Sequence, residues 1–278
     1  MTSMKAAVWA ATDQVDVTDV PMPVVPDGWA LVKVAYNGIC GTDLAILHGK
    51  HPRATSPLIM GHKISGFVEQ AGATGPGAGT LVVAEPLISC GECRSCKNEL
   101  THVCRRLGLY GVDASGGMAQ YVALPPEVLH AVPDGVDPRT ATLAAPLAVA
   151  VHAVERSGMQ AGDTVAVYGA GPIGVLTALV ARHAGAAAVV ITEPSPWRRN
   201  VAAALGFPVV AEGSSMFATL APLTTARERT PLSTPRPTPR SPPSSRPRPA
   251  YGGASSSSAC TRRPRRWTCK PSASRSRR

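Results

Sequence analysis

The chain has 278 residues, 44% hydrophobic and 17% charged, with 28 Lys and Arg against 18 Asp and Glu for a formal net charge of +10. That charge is uneven: residues 217–278 hold thirteen Arg and one Lys against the single acid Glu228, so the tail stands at +13 and residues 1–216 at −3. A weakly acidic, Val/Ala/Gly-rich body of this size buries a core in one or two domains; with no charged-then-apolar leader in Met1–Val20 and no apolar run of ~18 residues, the expectation is a cytoplasmic chain, neither secreted nor membrane-spanning.

Short alternating runs come first: Lys5–Trp9, Gln14–Val20, Ala30–Tyr36, Phe67–Gln70, Leu81–Glu85 and Met118–Leu124. Separated by Gly, Pro and Asp, they predict the strands of a compact β-rich domain from Met4 to about Pro133. Between the last two stand Cys90, Cys93, Cys96 and Cys104, spaced C-x2-C-x2-C-x7-C. Four thiolates complete a tetrahedral shell around Zn²⁺ and leave no open position, so such a site folds a loop and does not catalyse. On spacing alone an iron–sulfur cluster, a redox pair or four unrelated core cysteines are the alternatives.

From Pro138 the period changes. An Ala-rich helix is predicted over Pro138–Val154, then a buried strand (Thr164–Tyr168), a glycine turn, a helix (Pro172–Ala184), a strand (Ala188–Thr192), a helix (Ser195–Leu205) and a short strand (Pro208–Val210). This β-α-β-α-β order is the first half of a parallel doubly wound sheet, assigned to 151–213, and makes the fold class α/β. Gly169, Gly171 and Gly174 form G-x-G-x-x-G, with Pro172 and Ile173 in the first helical turn, and Glu193 ends the next strand nineteen residues after Gly174. In that setting Gly169 makes the turn, Gly171 lets a pyrophosphate approach the backbone and Gly174 permits close helix–strand packing. Glu193 would hydrogen-bond the adenosine ribose, which favours NAD, while Arg198 and Arg199 keep NADP open. A structural turn without a cofactor is the bland reading. Beyond it, residues 217–278 contain no Asp, Val or Ile but eleven Pro, eleven Ser and thirteen Arg, and 214–278 is predicted to be disordered.

The motifs NGICGTD (Asn37–Asp43), GHKISG (Gly61–Gly66), the four-cysteine lobe, GGMAQYV (Gly116–Val122), APLAVAVHA (Ala145–Ala153) and the glycine turn occur in one order. In that order, from about Met4 to Gly213, the chain resembles medium-chain zinc-dependent alcohol dehydrogenases, and among them the polyol (sorbitol), butanediol and threonine dehydrogenase branch. The resemblance implies a GroES-like catalytic domain over residues 1–150 followed by a partial Rossmann domain, a small alcohol or polyol substrate, and hydride transfer to NAD. It also implies roles. Cys40 and His62 match ligands of a catalytic zinc, Thr42 the hydroxyl that relays the alcohol proton, and Asp43 the acid that orients the metal-binding histidine.

Two positions depart from that pattern. The family's G-H-E is Gly61-His62-Lys63 here, and the acid before Pro-Leu is Ala145. Two ligands beside an ammonium make a poor Zn²⁺ site. Lys63 is read either as drift or as an ammonium replacing the metal's charge near the substrate. His48 and His51 are expected as surface or cleft-lining residues. The family's second Rossmann half and its dimer-forming edge have no counterpart, so the homo-oligomer interface is expected to be lost. The tail has the composition of a GC-rich coding sequence read out of frame, which places a frame change near codons 214–222. The expected function is an impaired NAD-dependent alcohol or polyol dehydrogenase, and the alternative is an inactive remnant that keeps its zinc lobe. For the tail's Arg runs, salt-dependent, sequence-blind adhesion to nucleic acid is expected and no specific reading of it.

Overall fold

The computed structural model describes residues 2–211, Thr219, and the segments 261–263 and 266–268. Its first strands, β1 (Ser3–Ala11) and β2 (Gln14–Pro21), form an antiparallel hairpin whose two-residue turn holds Asp13 at φ 59°. A positive φ suits the right-handed twist of such a hairpin, and Asp tolerates it better than most side chains. After β3 (Ala30–Asn37) come helix α1 (Gly41–Leu47) and strand β4 (Leu58–Ile59), and β4 pairs with the free side of β1.

Strands β5 (Ile64–Gln70), β6 (Leu81–Ala84), β9 (Tyr121–Leu124) and β10 (Leu129–Ala131) join β3 in an antiparallel sheet of order β10-β6-β5-β3-β9. Its inward face packs Val32, Ile64, Val68, Val82, Val122 and Leu124 into one core. Trp9, Ile46, Leu58, Met60 and Val112 form a second, under α1 and β1. Between β6 and β9 lies a small lobe made of β7 (Leu87–Ile88), the one-turn helix α2 (Arg94–Lys97), a short 3-10 turn (Thr101–Val103) and β8 (Gly108–Leu109).

The strand expected over Met118–Leu124 begins only at Tyr121. Residues 118–120 instead cross between sheets: Met118 N–H donates to Met60 O (2.9 Å), Ala7 N–H to Met118 O (2.8 Å) and Gln120 N–H to Lys5 O (3.0 Å). Gly116 permits the crossing, since a Cβ there would lie 2.1 Å from Gly61 O.

The helix expected over Pro138–Val154 is two helices, α3 (Pro138–Ala141) and α4 (Ala144–Ser157). Pro146 explains the break: it has no N–H to give Thr142, and its ring collides with that carbonyl in a continuous helix. Asp137 caps α3 by accepting from Arg139 N–H (2.9 Å) and Thr140 N–H (3.0 Å), and Gly158 closes α4 in the left-handed conformation.

Strand β11 (Thr164–Tyr168), helix α5 (Pro172–His183), strand β12 (Ala188–Thr192), helix α6 (Pro196–Ala204) and strand β13 (Val209–Val210) then build a parallel sheet of order β11-β12-β13. Val167, Ala178, Ala181, Ile191, Ala202 and Phe207 form its core, against which Val154 of α4 and Met159 pack. Helix α4 therefore runs through the expected boundary at residue 150 and belongs to the parallel-sheet core at its C-terminal end. Among the described residues, no helix is long and apolar enough to cross a membrane. The expectation of disorder for 214–278 lies outside the described residues, apart from Thr219 and two short strands, β14 (Thr261–Arg263) and β15 (Arg266–Thr268), which pair antiparallel.

Candidate functional site

In the small lobe, the sulfur atoms of Cys90, Cys93, Cys96 and Cys104 all lie within 4.8 Å of one another. The closest pairs are Cys93 with Cys96 at 3.5 Å and Cys90 with Cys96 at 3.9 Å. Backbone N–H groups turn inward on the cluster: those of Cys90 and Arg106 each lie 3.3 Å from Cys104 Sγ. N–H groups of Arg105 and Cys96 draw the Cys93 thiol down to about 6, whereas burial and the neighbouring Cys93 push Cys96 up to about 11. Four converging sulfurs with backbone donors around them are the donor set of a closed tetrahedral zinc site.

The second cluster is smaller. Cys40 is the N-cap of α1, and its N–H donates to Asp43 Oδ2 at 2.7 Å, which fixes the first helical turn. The other carboxylate oxygen, Asp43 Oδ1, faces His62 Nδ1 at 3.6 Å, with both side chains buried. That gap exceeds a hydrogen bond, and neither atom has another partner. Gly61, at φ 95°, leads into His62; a Cβ there would strike Asn37 Nδ2 at 2.6 Å. Thr42 Oγ1 lies 3.8 Å from Cys40 Sγ. The structure thus brings Cys40, Thr42, Asp43 and His62 together. Lys63 follows His62, and its Cβ lies 3.2 Å from where a Cβ on Gly38 would stand.

A hydrogen bond with His62, assisted by the N–H and hydroxyl of Thr42, lowers the Cys40 thiol from 9.0 to about 6. Since the folded value is the lower one, the thiolate's contribution to folding is present above about pH 9 and is lost as pH falls through about 6. Alkylation of Cys40 by iodoacetamide, followed by peptide mass mapping, should therefore be half-maximal near pH 6. In His62→Ala the midpoint should move up by more than a unit, and an unmoved midpoint would contradict the pairing.

At the glycine turn, Gly169 takes φ 95°, and a Cβ on Gly174 would lie 1.9 Å from Gly169 O, so only glycine lets α5 pack this close to β11. Around Gly171 a Cβ would meet nothing within 4 Å, so the backbone is open on the side where α5 begins, with Pro172 and Ile173 following. A cavity of about 590 Å³ opens alongside, lined by Val154, Val165, Tyr168, Gly171 and Ile173 among others. Glu193 is buried behind the turn, and Arg198 is exposed on the first turn of α6. His48 is a surface residue paired with Asp13 at 2.5 Å, and His51 Nδ1 accepts from Ala54 N–H at 3.2 Å, so neither joins a donor cluster.

Two positioning residues carry no signal of their own in the sequence, although both sit inside the conspicuous motifs. Asn37 packs its amide against Gly61 and Gly117, and Ser65 donates its hydroxyl to Pro138 O at 2.5 Å, tying β5 to the start of α3.

Residues 26–134 match the model of the alcohol dehydrogenase GroES-like domain. The chain is 42% identical over 182 residues to 2-dehydro-3-deoxy-L-galactonate 5-dehydrogenase of Pseudoalteromonas atlantica, covering 64% of this chain and 53% of that protein. It thus spans about half the length of the curated relatives it matches. Among solved structures, a zinc-binding dehydrogenase from Sinorhizobium meliloti bound to NADP aligns with TM-score 0.73 and 35% identity, over 78% of this chain and 65% of that one. The 2R,3R-butanediol dehydrogenase of Bacillus subtilis aligns with TM-score 0.72 and 31% identity, over 80% of this chain and 68% of that one. With the β-rich domain, the four-cysteine lobe, the Cys40–His62 pair and the glycine turn all in the family's order, the chain belongs to the medium-chain zinc-type alcohol dehydrogenase family.

Proposed function

We propose that this chain has the design of an NAD(P)-linked alcohol or polyol dehydrogenase but holds one zinc, in the four-cysteine lobe, and turns substrate over weakly or not at all. One observation carries this reading. Among the described residues, the only place where three or more Cys, His, Asp or Glu donors converge is Cys90, Cys93, Cys96 and Cys104. Among the described residues no third donor converges with Cys40 and His62, and Lys63 and Ala145 stand where the resemblance puts carboxylates. A metal at that position would polarise an alcohol oxygen, and two ligands do not hold Zn²⁺ open for it.

The remaining parts support nucleotide binding. The open backbone at Gly171 and the close α5–β11 approach at Gly174 suit a pyrophosphate. The solved relative with NADP makes a nicotinamide dinucleotide the expected ligand. Metal analysis of the purified full chain should give one zinc equivalent, unchanged in Cys40→Ser. Two equivalents, or ready NAD(P)-dependent oxidation of a polyol, would overturn the proposal.

A further inference from the structure

Among the described residues, the parallel sheet runs β11-β12-β13, and no strand pairs with the side of β11 that faces away from β12. Gly169 N–H donates to Thr192 O (2.7 Å) and Asp163 O accepts from Ala187 N–H (2.8 Å), so the odd-numbered residues of this segment bond toward β12. Backbone groups alternate along a strand, which leaves the N–H and C=O of Thr164, Ala166 and Tyr168 pointing out of the sheet edge. Edge strands are ordinarily blunted by Lys, Pro, a bulge or an inward charge. Thr164–Tyr168 reads TVAVY, pairs with β12 in unbroken register, and has none of these.

The surface around this edge is apolar. Tyr168 is 74% exposed, and Ile173, in the first turn of α5, is 44% exposed. Helix α4 reaches the cavity beside the glycine turn through Ala153 and Val154, and nearer its start it exposes Leu147, Val149 and Val151. The exposed parts of Tyr168, Ile173, Leu147, Val149 and Val151 come to on the order of 500 Å² before the strand backbone is counted, against ~800 Å² covered on each partner of a stable dimer. Apolar surface of this extent on a monomer marks an interaction site.

We propose that a second copy of this chain covers the edge, the two β11 strands pairing antiparallel about a dyad through Ala166. Three outward residues make the strand complementary to itself. Thr164 meets the partner's Tyr168, Ala166 meets the partner's Ala166, and Tyr168 meets the partner's Thr164, so the six free backbone groups of each strand are bonded at once. No charge on either strand opposes the approach, and the residue on the axis is small. The dyad stands perpendicular to the joined six-stranded sheet, so the two α4 helices share one face of it. The dimer-forming edge that the resemblance implies belongs to the sheet half without a counterpart in this chain, so this is a different surface.

Sedimentation velocity of the full chain, in high salt to keep the tail off nucleic acid, should show a dimer whose share rises with protein concentration. Ala166 is exposed in the single chain, so Ala166→Lys should keep the fold and zinc content. It sets two ammonium groups opposite each other on the dyad, and the variant should sediment as a monomer at the same concentrations. Ala166→Cys tests the pairing in the opposite sense, whether or not the lysine variant folds. Residues paired across a dyad in this way stand ~5.5 Å apart, within disulfide reach, so mild oxidation should join the introduced thiol to its own copy, as peptide mapping would show. A monomeric unaltered chain overturns the proposal; if its Thr164, Ala166 and Tyr168 amides resist hydrogen exchange, another part of the same chain covers the edge. A dimer that survives Ala166→Lys, or an Ala166→Cys chain that gives no such crosslink, places the interface elsewhere and overturns it as well.

Discussion

Replacing Cys93 with serine is expected to strip the zinc from the four-cysteine lobe and to unfold that lobe alone. Between Leu87 and Leu109 the only buried residue is Cys104 itself, and the larger apolar side chains Leu100 and Val103 are 41% and 53% exposed. The segment has no apolar core of its own, and its regular structure is a two-residue ribbon and one helical turn. Structural zinc supplies roughly 10–16 kcal/mol of apparent folding free energy in small metal-built domains. Here the metal has little competition as the organising element. Without a divalent charge, four sulfurs within 4.8 Å of one another repel as thiolates and cannot all be ionised. In hydrogen exchange, amides of 90–106 should lose protection in Cys93→Ser, and trypsin should cut at Arg94, Lys97, Arg105 and Arg106. Strands β3, β5 and β12, whose side chains belong to separate cores, should stay protected. A lobe that keeps its protection in the variant, or in the wild type after exhaustive chelation, would show that packing and not metal holds it.

Restoring carboxylates at the two departed positions is expected to raise the zinc content from one equivalent to two. In Lys63→Glu combined with Ala145→Glu, Cys40 and His62 would gain anionic donors and lose a cation, and both changes favour a dication. The geometry supports the pairing of these two sites. Lys63 Cβ and Thr142 Cβ lie 3.2 and 3.9 Å from where a Cβ on Gly38 would stand, two residues from Cys40, and Ala145 is the second residue of α4, three residues after Thr142. The orphaned pair Asp43 Oδ1 and His62 Nδ1 would also close to a hydrogen bond once a metal draws on the imidazole. Cobalt substitution gives a readout independent of turnover: a second d–d absorption band, absent from the wild type, should appear only in the double variant. If the double variant still holds one metal, the site has been lost through more than its ligands. Each single change should have a smaller effect, because one replacement leaves either the cation or the donor deficit in place.

Much of this fold can be read from local pattern. Strands β11 and β12 match the predicted bounds residue for residue, because both are short runs rich in Val, Ile and Thr, and β11 is bounded by Asp163 and Gly169. The glycine turn was equally legible, since Gly169 needs a positive φ and Gly174 a close approach, two demands that only one residue type meets. The α3–α4 break is masked in the pattern although Pro146 causes it: the Ala-rich apolar run continues across it, and periodicity is blind to a missing N–H. The late start of β9 was not legible either. Residues Met118 and Gln120 have strand-like neighbours, but their hydrogen bonds go to β1 and to the segment before His62, a choice made by chain crossing.

The sequence by itself determined the family, the four thiols and their spacing, the Cys40–His62 pair and the absence of carboxylates at positions 63 and 145. Those depend on residue types at given positions, and covalent order carries them. Only the tertiary structure decided what the side chains do with their bonding capacity. Glu193 was expected to hydrogen-bond a ribose, and folding also brings to its two oxygens the N–H groups of Ala170 and Ser195, twenty-three and two residues away. Lys63 was expected either as drift or as a group acting beside the substrate, and folding sets the start of its side chain against Gly38. Residue type sets which bonds a side chain is able to make. The packed chain, by excluding water and supplying donors from distant segments, sets which of them it has left for a ligand.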